Sequence, residues 1–73
     1  MIQIVVKGGA SAALDAARDR GIPATHVGTW GGDQQGTILV ADDAHERKVA
    51  EWFIEPPSAR PFPPGTCLWY RGR

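Results

Sequence analysis

Few side chains in this sequence have the chemistry to act on a substrate or to hold a metal. Cys67 is the only cysteine, and His26 and His45 are the only histidines. They are far apart in the chain and match no zinc-ligand spacing. Because no histidine is close to Cys67 in sequence, we expect a small buried hydrophobic residue there rather than a nucleophile. The sequence therefore predicts no catalytic residue, no cofactor and no metal.

The adjacent carboxylates Asp42 and Asp43 are the other candidates for acid–base or metal chemistry. They follow an apolar segment at residues 37–41 and precede a helical pattern, and this position favours helix N-capping. Glu46 stands three residues after Asp43, which is the spacing of a capping box. We predict caps here, and no enzyme, because no nucleophile–base pair or metal set accompanies them.

The elements that position these residues are organised around the segment 37–41, Thr-Ile-Leu-Val-Ala, which is predicted to be a central strand. Residues 1–7 alternate as a first strand, and Gly8-Gly9 forms the turn after it. A helix capped by Ser11 and favoured by Asp15 at its start is predicted to end near Arg20, and it leads to a strand at residues 25–30. A second helix ends before Pro56-Pro57, and residues 66–71 form the last strand.

The order of the predicted elements is strand, helix, strand, strand, helix, strand. The simplest fold with this order is a single ferredoxin-like βαββαβ domain over residues 1–73, an α+β sandwich with a four-stranded antiparallel sheet and both helices on one face. The expected core consists of Ile4, Val6, Leu14, Ala17, Ile38, Val40, Val49 and Phe53. The expected outward set on the two central strands consists of Gln3, Val5, Lys7, Thr37, Leu39 and Ala41.

Several functions carried by this fold are disfavoured by the sequence. Eight basic and eight acidic residues cancel, and the outward set holds no aromatic side chain on which an RNA base could stack, so no nucleic acid is expected. The first loop lacks the CxxC of metallochaperones, and the chain has no asparagine, which acylphosphatases use. No apolar run reaches the roughly 20 residues of a membrane span, and no signal peptide is recognised, so a cytoplasmic location is expected.

Aromatic residues are the strongest candidates for an interaction surface. Trp69 and Tyr70 are adjacent in a strand, so one faces the helices and the other the uncovered sheet face. Trp30 lies between a strand and a glycine-rich connection; it is either an exposed interface anchor or a cover for the edge of its own sheet. The proline-rich residues 55–65 either form a rigid connection pinned by Phe62 or present a polyproline ligand.

A chain of 73 residues without a disulfide has a thin core, so self-association is the expected source of additional stability. The candidate homodimer interface consists of Trp30, Val5, Leu39, Ala41, Trp69 and Tyr70. Residues 50–53 (Ala-Glu-Trp-Phe) and 61–66 (Pro-Phe-Pro-Pro-Gly-Thr) resemble those of short α/β proteins of bacteria and their phages.

The sequence thus predicts a non-enzymatic protein-interaction or regulatory module that self-associates. The alternative is a dimeric small-ligand sensor that uses the loop residues Gly8, Gly9 and Ser11, because a loop that leads into a helix start is a place where anions bind. Amino-acid-sensing ACT modules also have a glycine after their first strand, and the similarity is one of fold alone.

Overall fold

The computed structural model describes residues 1–31, 35–53 and 62–72. In chain order, the elements are β1 (Ile2–Lys7), α1 (Ala10–Asp19), β2 (Ala24–Trp30), β3 (Gly36–Ala41), a 3-10 turn (Asp43–His45), α2 (Glu46–Trp52) and β4 (Cys67–Arg71). Every predicted strand and helix is therefore present, with its bounds shifted by a few residues.

The four strands form one antiparallel sheet in the order β2-β3-β1-β4. This is the ferredoxin-like topology, and the predicted placement of β1 and β3 at the centre of the sheet is confirmed. Ile4 lies opposite Leu39 and Val5 opposite Ile38 in the central pair. Residues directly opposite each other in an antiparallel pair share a sheet face, so this register decides which side chains meet the helices.

Both helices pack on the same face of the sheet, as predicted. The buried core joins side chains of β1, β3 and β4 to both helices and to the segment after α1. Its members are Ile2, Ile4, Val6, Ala13, Ala17, Ile22, Leu39, Ala41, Val49 and Cys67. Leu14 and Phe53, which were predicted to be core residues, are only partly buried and pack against this cluster from its margin.

The start of α1 differs from the sequence prediction, whereas its end agrees with it. Gly9 is the N-cap and makes no side-chain cap hydrogen bond, so Ser11 is already within the helix and its prediction as the N-cap is wrong. The first turn holds no acidic residue, and Asp15 is too far along to favour the helix dipole. At the other end Gly21 adopts a φ of 73°, the left-handed conformation expected of a glycine after a helix.

At the junction between β3 and α2, the predicted capping role holds for Asp42 and for the 3-10 turn, whereas the N-cap of α2 itself is His45, which makes no side-chain cap hydrogen bond. The carboxylate of Asp43 pairs with the N-terminal amine. Asp42 accepts a hydrogen bond from the backbone N–H of Ala44 at 2.8 Å, which starts the 3-10 turn that leads into α2.

Trp52 near the end of α2 packs against the core, and its indole N–H donates to the carbonyl of Gly65 at 3.0 Å. The guanidinium of Arg20 lies 5.0 Å from the ring centroid of Trp52, so α1 and α2 are joined across their ends.

The proline-rich prediction falls mostly on residues 54–61, which lie outside the described residues, as does the glycine-rich segment 32–34. Phe62 is described and is half-buried. Among the described residues no helix is long and apolar enough to cross a membrane.

Candidate interaction face

The side of the sheet opposite the two helices is called the open face. Gln3, Val5 and Lys7 of β1 point to it because they alternate with the buried residues Ile4 and Val6. Their predicted orientation is therefore confirmed for β1. Val5 itself is only 6% exposed, so neighbouring side chains on the open face already cover much of it.

The prediction of which β3 side chains face the helices is wrong. Each side chain lies on the face of the sheet opposite to the one expected. Leu39 and Ala41 were expected on the open face, but both are buried in the helix-side core, with exposures of 0% and 4%. Thr37 is also buried. Ile38 and Val40, expected in the core, alternate with these residues and are half-buried on the open face.

The cause of this orientation is visible at the start of β3. The hydroxyl of Thr37 donates a hydrogen bond at 2.9 Å to the carbonyl of Gly8, at the turn that leads into α1. The backbone N–H of Gly8 in turn donates to the carbonyl of Gln35 at 3.2 Å. Since side chains alternate along a strand, a buried Thr37 forces Leu39 and Ala41 to the same side.

The aromatic pair of β4 divides between the faces as predicted. Trp69 lies opposite Val5 on the open face and is 43% exposed. Tyr70 lies opposite Ile4 on the helix side, where its ring packs edge-to-face on Phe53 with the centroids 5.3 Å apart. Tyr70 therefore belongs to the core side, and Trp69 is the member of this pair that the open face presents.

Trp30, at the end of β2, is half-buried and also belongs to the open face. Together with its neighbours it forms a groove of about 550 Å³. The groove is lined by Gln3, Val5, Trp30, Ile38, Leu68 and Trp69. Val5 and Ile38 form an apolar floor, and a tryptophan on each side of it supplies a large surface of the type that is common at the centre of protein interfaces.

Both edge strands of the sheet carry a β-bulge. On β2 the extra residue is Val27, between His26 and Gly28, and its side chain is 55% exposed. On β4 the extra residue is Leu68, and it contributes to the groove. A bulge disrupts the regular spacing of backbone groups along an edge and so opposes pairing with a strand of another molecule.

The loop predicted as a weak ligand site forms a second, smaller concavity of about 290 Å³. Gly8 and Gly9 line it together with His26 and Thr29. Ser11 is not among its lining residues and is exposed on α1. The structure therefore gathers two of the three predicted loop residues in one depression.

Cys67 is buried in the core, and burial raises the pKa of its thiol from 9.0 to about 12. At neutral pH the sulfur is therefore protonated and a poor nucleophile. His26 is exposed, and its Nε2 lies 3.0 Å from the carbonyl oxygen of Gly28 in its own strand. Within the described residues no three histidine, cysteine or carboxylate side chains cluster as a metal site would require.

Comparison of the chain with protein-family models, with curated proteins and with solved structures gives no match. The fold is thus the level at which the chain is classified: a small α+β protein of ferredoxin-like topology. Sequence reasoning missed Ile38 and Leu68 as members of the groove. Leu68 gave no signal because a bulge is not visible in an apolar run, whereas Ile38 was recognised as apolar and placed on the wrong face.

Proposed function

We propose that this chain is a non-enzymatic interaction module that self-associates through the open face of its sheet. The observation that supports the proposal most directly is the groove with Val5 and Ile38 as its floor and Trp30 and Trp69 beside it. Both helices lie on the other side of the sheet, and Trp69 is 43% exposed. An apolar groove with a tryptophan on each side is a surface of the kind that proteins use to bind partners.

A second copy is the occupant that the sheet favours. Two four-stranded sheets stack well face to face at about 10 Å, and a two-fold contact buries the same apolar surface on both molecules. The competing arrangement is edge-to-edge pairing, and the bulges at Val27 and Leu68 oppose it on both edges.

The size of the open face sets the expected strength of the contact. Three strand spacings separate β2 from β4, which is roughly 14 Å, and the six residues of β1 extend over about 20 Å. A footprint of a few hundred Å² per copy is below the roughly 800 Å² per partner of a standard interface. The proposed dimer is accordingly weak and reversible.

The test is light scattering of the purified protein over a range of concentrations, followed by the same measurement on two glutamate variants. Ile38→Glu places a charge at the centre of the open face and should abolish the dimer. Val27→Glu places the same charge on the exposed edge of β2 and should leave the dimer intact. Leu39 is unsuitable for this test because its side chain is in the core.

Each outcome has a defined meaning. Loss of the dimer in Val27→Glu but not in Ile38→Glu would assign the contact to the edge of the sheet. A wild-type protein that remains monomeric at several hundred micromolar would overturn self-association. Trp69→Ser provides a second open-face variant in case Ile38→Glu fails to fold, because Trp69 is on an edge strand and largely exposed.

The small-ligand alternative at Gly8 and Gly9 and the resemblance to short bacterial and phage proteins stay predictions. Both backbone groups of Gly8 are engaged within the chain: its N–H donates to the carbonyl of Gln35, and its carbonyl accepts from the hydroxyl of Thr37. A metabolite that bound there would raise the melting temperature in a thermal-shift screen. We expect no such shift.

A further inference from the structure

One row of residues crosses the open face at its centre. The pairing places Gly28 of β2 opposite Ile38 of β3, Ile38 opposite Val5 of β1, and Val5 opposite Trp69 of β4. The row therefore has no side chain at one end and the largest side chain of the face at the other. Between these ends lie two branched aliphatic residues of similar size.

Gly28 presents no side chain on the open face. A Cβ atom built on Gly28 would lie 3.7 Å from Cδ1 of Ile38, which is an ordinary van der Waals contact on the open-face side of the strand. The backbone of Gly28 does not have the positive φ that would require glycine. Neither the packing nor the backbone of one molecule therefore accounts for a glycine at this position.

We infer that the two copies are related by a two-fold axis parallel to β1, so that Trp69 of each copy lies over Gly28 of the other, where no side chain opposes it. This orientation rests on the proposed self-association and specifies its geometry. An axis parallel to the strands exchanges β2 with β4 and β1 with β3. The central row of one copy then lies over the same row of the other copy in the opposite order. Trp69 lies over Gly28, and Val5 lies over Ile38.

The other two-fold arrangement of stacked sheets has its axis perpendicular to the strands, and it matches the faces poorly. That axis places every strand over its own copy, and an axis that crosses the central row places each residue of that row over itself. Trp69 would meet Trp69 at one edge, and Gly28 would meet Gly28 at the other. Protein interfaces pack as densely as protein interiors, so a collision at one edge and a gap at the other would both be costly.

The charges on the open face are compatible with the parallel axis. A second row runs from Thr25 through Val40 and Gln3 to Arg71. The exchange of strands places Arg71 of one copy over Thr25 of the other, and it places Lys7 over Gly36. Neither Lys7 nor Arg71, the two cations among the described strand residues of the open face, therefore lies over a like charge. No buried ion pair has to form either.

The first test adds a side chain at Gly28. Gly28→Ala and Gly28→Val add volume where the indole of the second copy would lie, and they should weaken the dimer by about tenfold or more in sedimentation or light-scattering measurements. Gly31→Ala is the matched control, since its Cβ would have no neighbour within 4 Å. Thermal unfolding of the variants under dilute, monomeric conditions verifies that each one folds. Wild-type affinity in a folded Gly28→Val would overturn the orientation.

The second test uses the outer ends of the Thr25 row. In one molecule Thr25 and Arg71 are on opposite edge strands, roughly 14 Å apart, whereas the parallel axis brings them face to face across about 10 Å. A mixture of Thr25→Cys and Arg71→Cys proteins treated with a short bis-maleimide should give a cross-linked heterodimer. Neither variant alone should cross-link to itself.

These results separate the orientation from the proposed function. No heterodimer in the mixture, with the dimer still present and still abolished by Ile38→Glu, would overturn the orientation and leave the self-association standing. A monomeric wild-type protein would overturn both. Cys67 does not interfere, because it is buried and its thiol stays protonated at the pH of the reaction.

Discussion

Ile4 and Leu39 lie directly opposite each other in the pairing of β1 with β3, and both side chains are completely buried. Their position shows which face of each central strand meets the helices. Every other assignment in the sheet follows from it, because a shift of one residue would exchange the two faces of a strand.

Truncation of Leu39 should therefore be much more harmful than truncation of its neighbour Ile38. Leu39→Ala removes a fully buried side chain and should lower the free energy of unfolding by about 2–5 kcal/mol. Ile38→Ala alters a half-buried residue and should cost about 1 kcal/mol. Urea unfolding at low protein concentration, where any dimer has dissociated, gives both values. A larger cost for Ile38 would contradict the observed facing of β3.

Gly36 should tolerate no side chain. A Cβ atom at this position would lie 2.6 Å from the carbonyl oxygen of Val6, in the backbone of the adjacent strand. Gly36→Ala should therefore lower stability by about 1–3 kcal/mol, because the central pair of strands must separate locally. Gly31→Ala, with no neighbour within 4 Å, should change stability by less than about 0.5 kcal/mol. Equal melting temperatures for the two variants would contradict this packing.

Cys67 should make the fold sensitive to alkaline pH. Burial raises the pKa of the thiol from 9.0 to about 12, so between these values the unfolded chain loses a proton that the folded chain keeps. The contribution of this group is complete below pH 9 and declines as the pH rises toward 12, by at most about 1.4 kcal/mol per pH unit.

A Cys67→Ala variant isolates this contribution, since it should lose stability less steeply than the wild type over the same pH range. The folded wild-type protein should also resist alkylation at pH 8 and react fully once unfolded in urea. Rapid alkylation of the native protein would show that the sulfur is accessible.

Trp30 and Trp52 should respond differently to replacement by alanine. Trp30 is half-buried on the open face, so Trp30→Ala should leave a folded domain, with a cost of about 1–2 kcal/mol, and weaken self-association. Trp52 packs against the core and donates to the carbonyl of Gly65, so Trp52→Ala should cost about 3–5 kcal/mol. Circular dichroism with thermal unfolding compares the two. An unfolded Trp30→Ala protein would make that residue part of the core.

The fold was predictable because its signals are local. Alternation in residues 1–7, the glycine after α1 and the aspartates before α2 each indicate one element, and the order of elements leaves few topologies. The bounds of α1 were less accurate, since Ser11 is a good capping residue by type, yet the chain enters the helix two residues earlier at Gly9.

The interaction face was predictable only in part. Residues 38–40 are apolar without interruption, so alternation cannot tell which of them faces the helices. The decision is made by the buried hydroxyl of Thr37 and its hydrogen bond to Gly8, two residues that are 29 positions apart in the chain. The two bulges likewise arise from the pairing between strands, and a single strand sequence does not contain that information.

The bulges at Val27 and Leu68 also bear on how this protein behaves when it is crowded. Fibrils grow when the flat edge of one sheet templates the next strand, and here a bulge interrupts the regular spacing of both edge strands. Contact through the open face, by contrast, is closed by its own symmetry once two molecules have met. From the proposed self-association we therefore expect a concentrated solution of folded molecules to accumulate pairs and not filaments, with the exposed tryptophan of each molecule hidden in the contact.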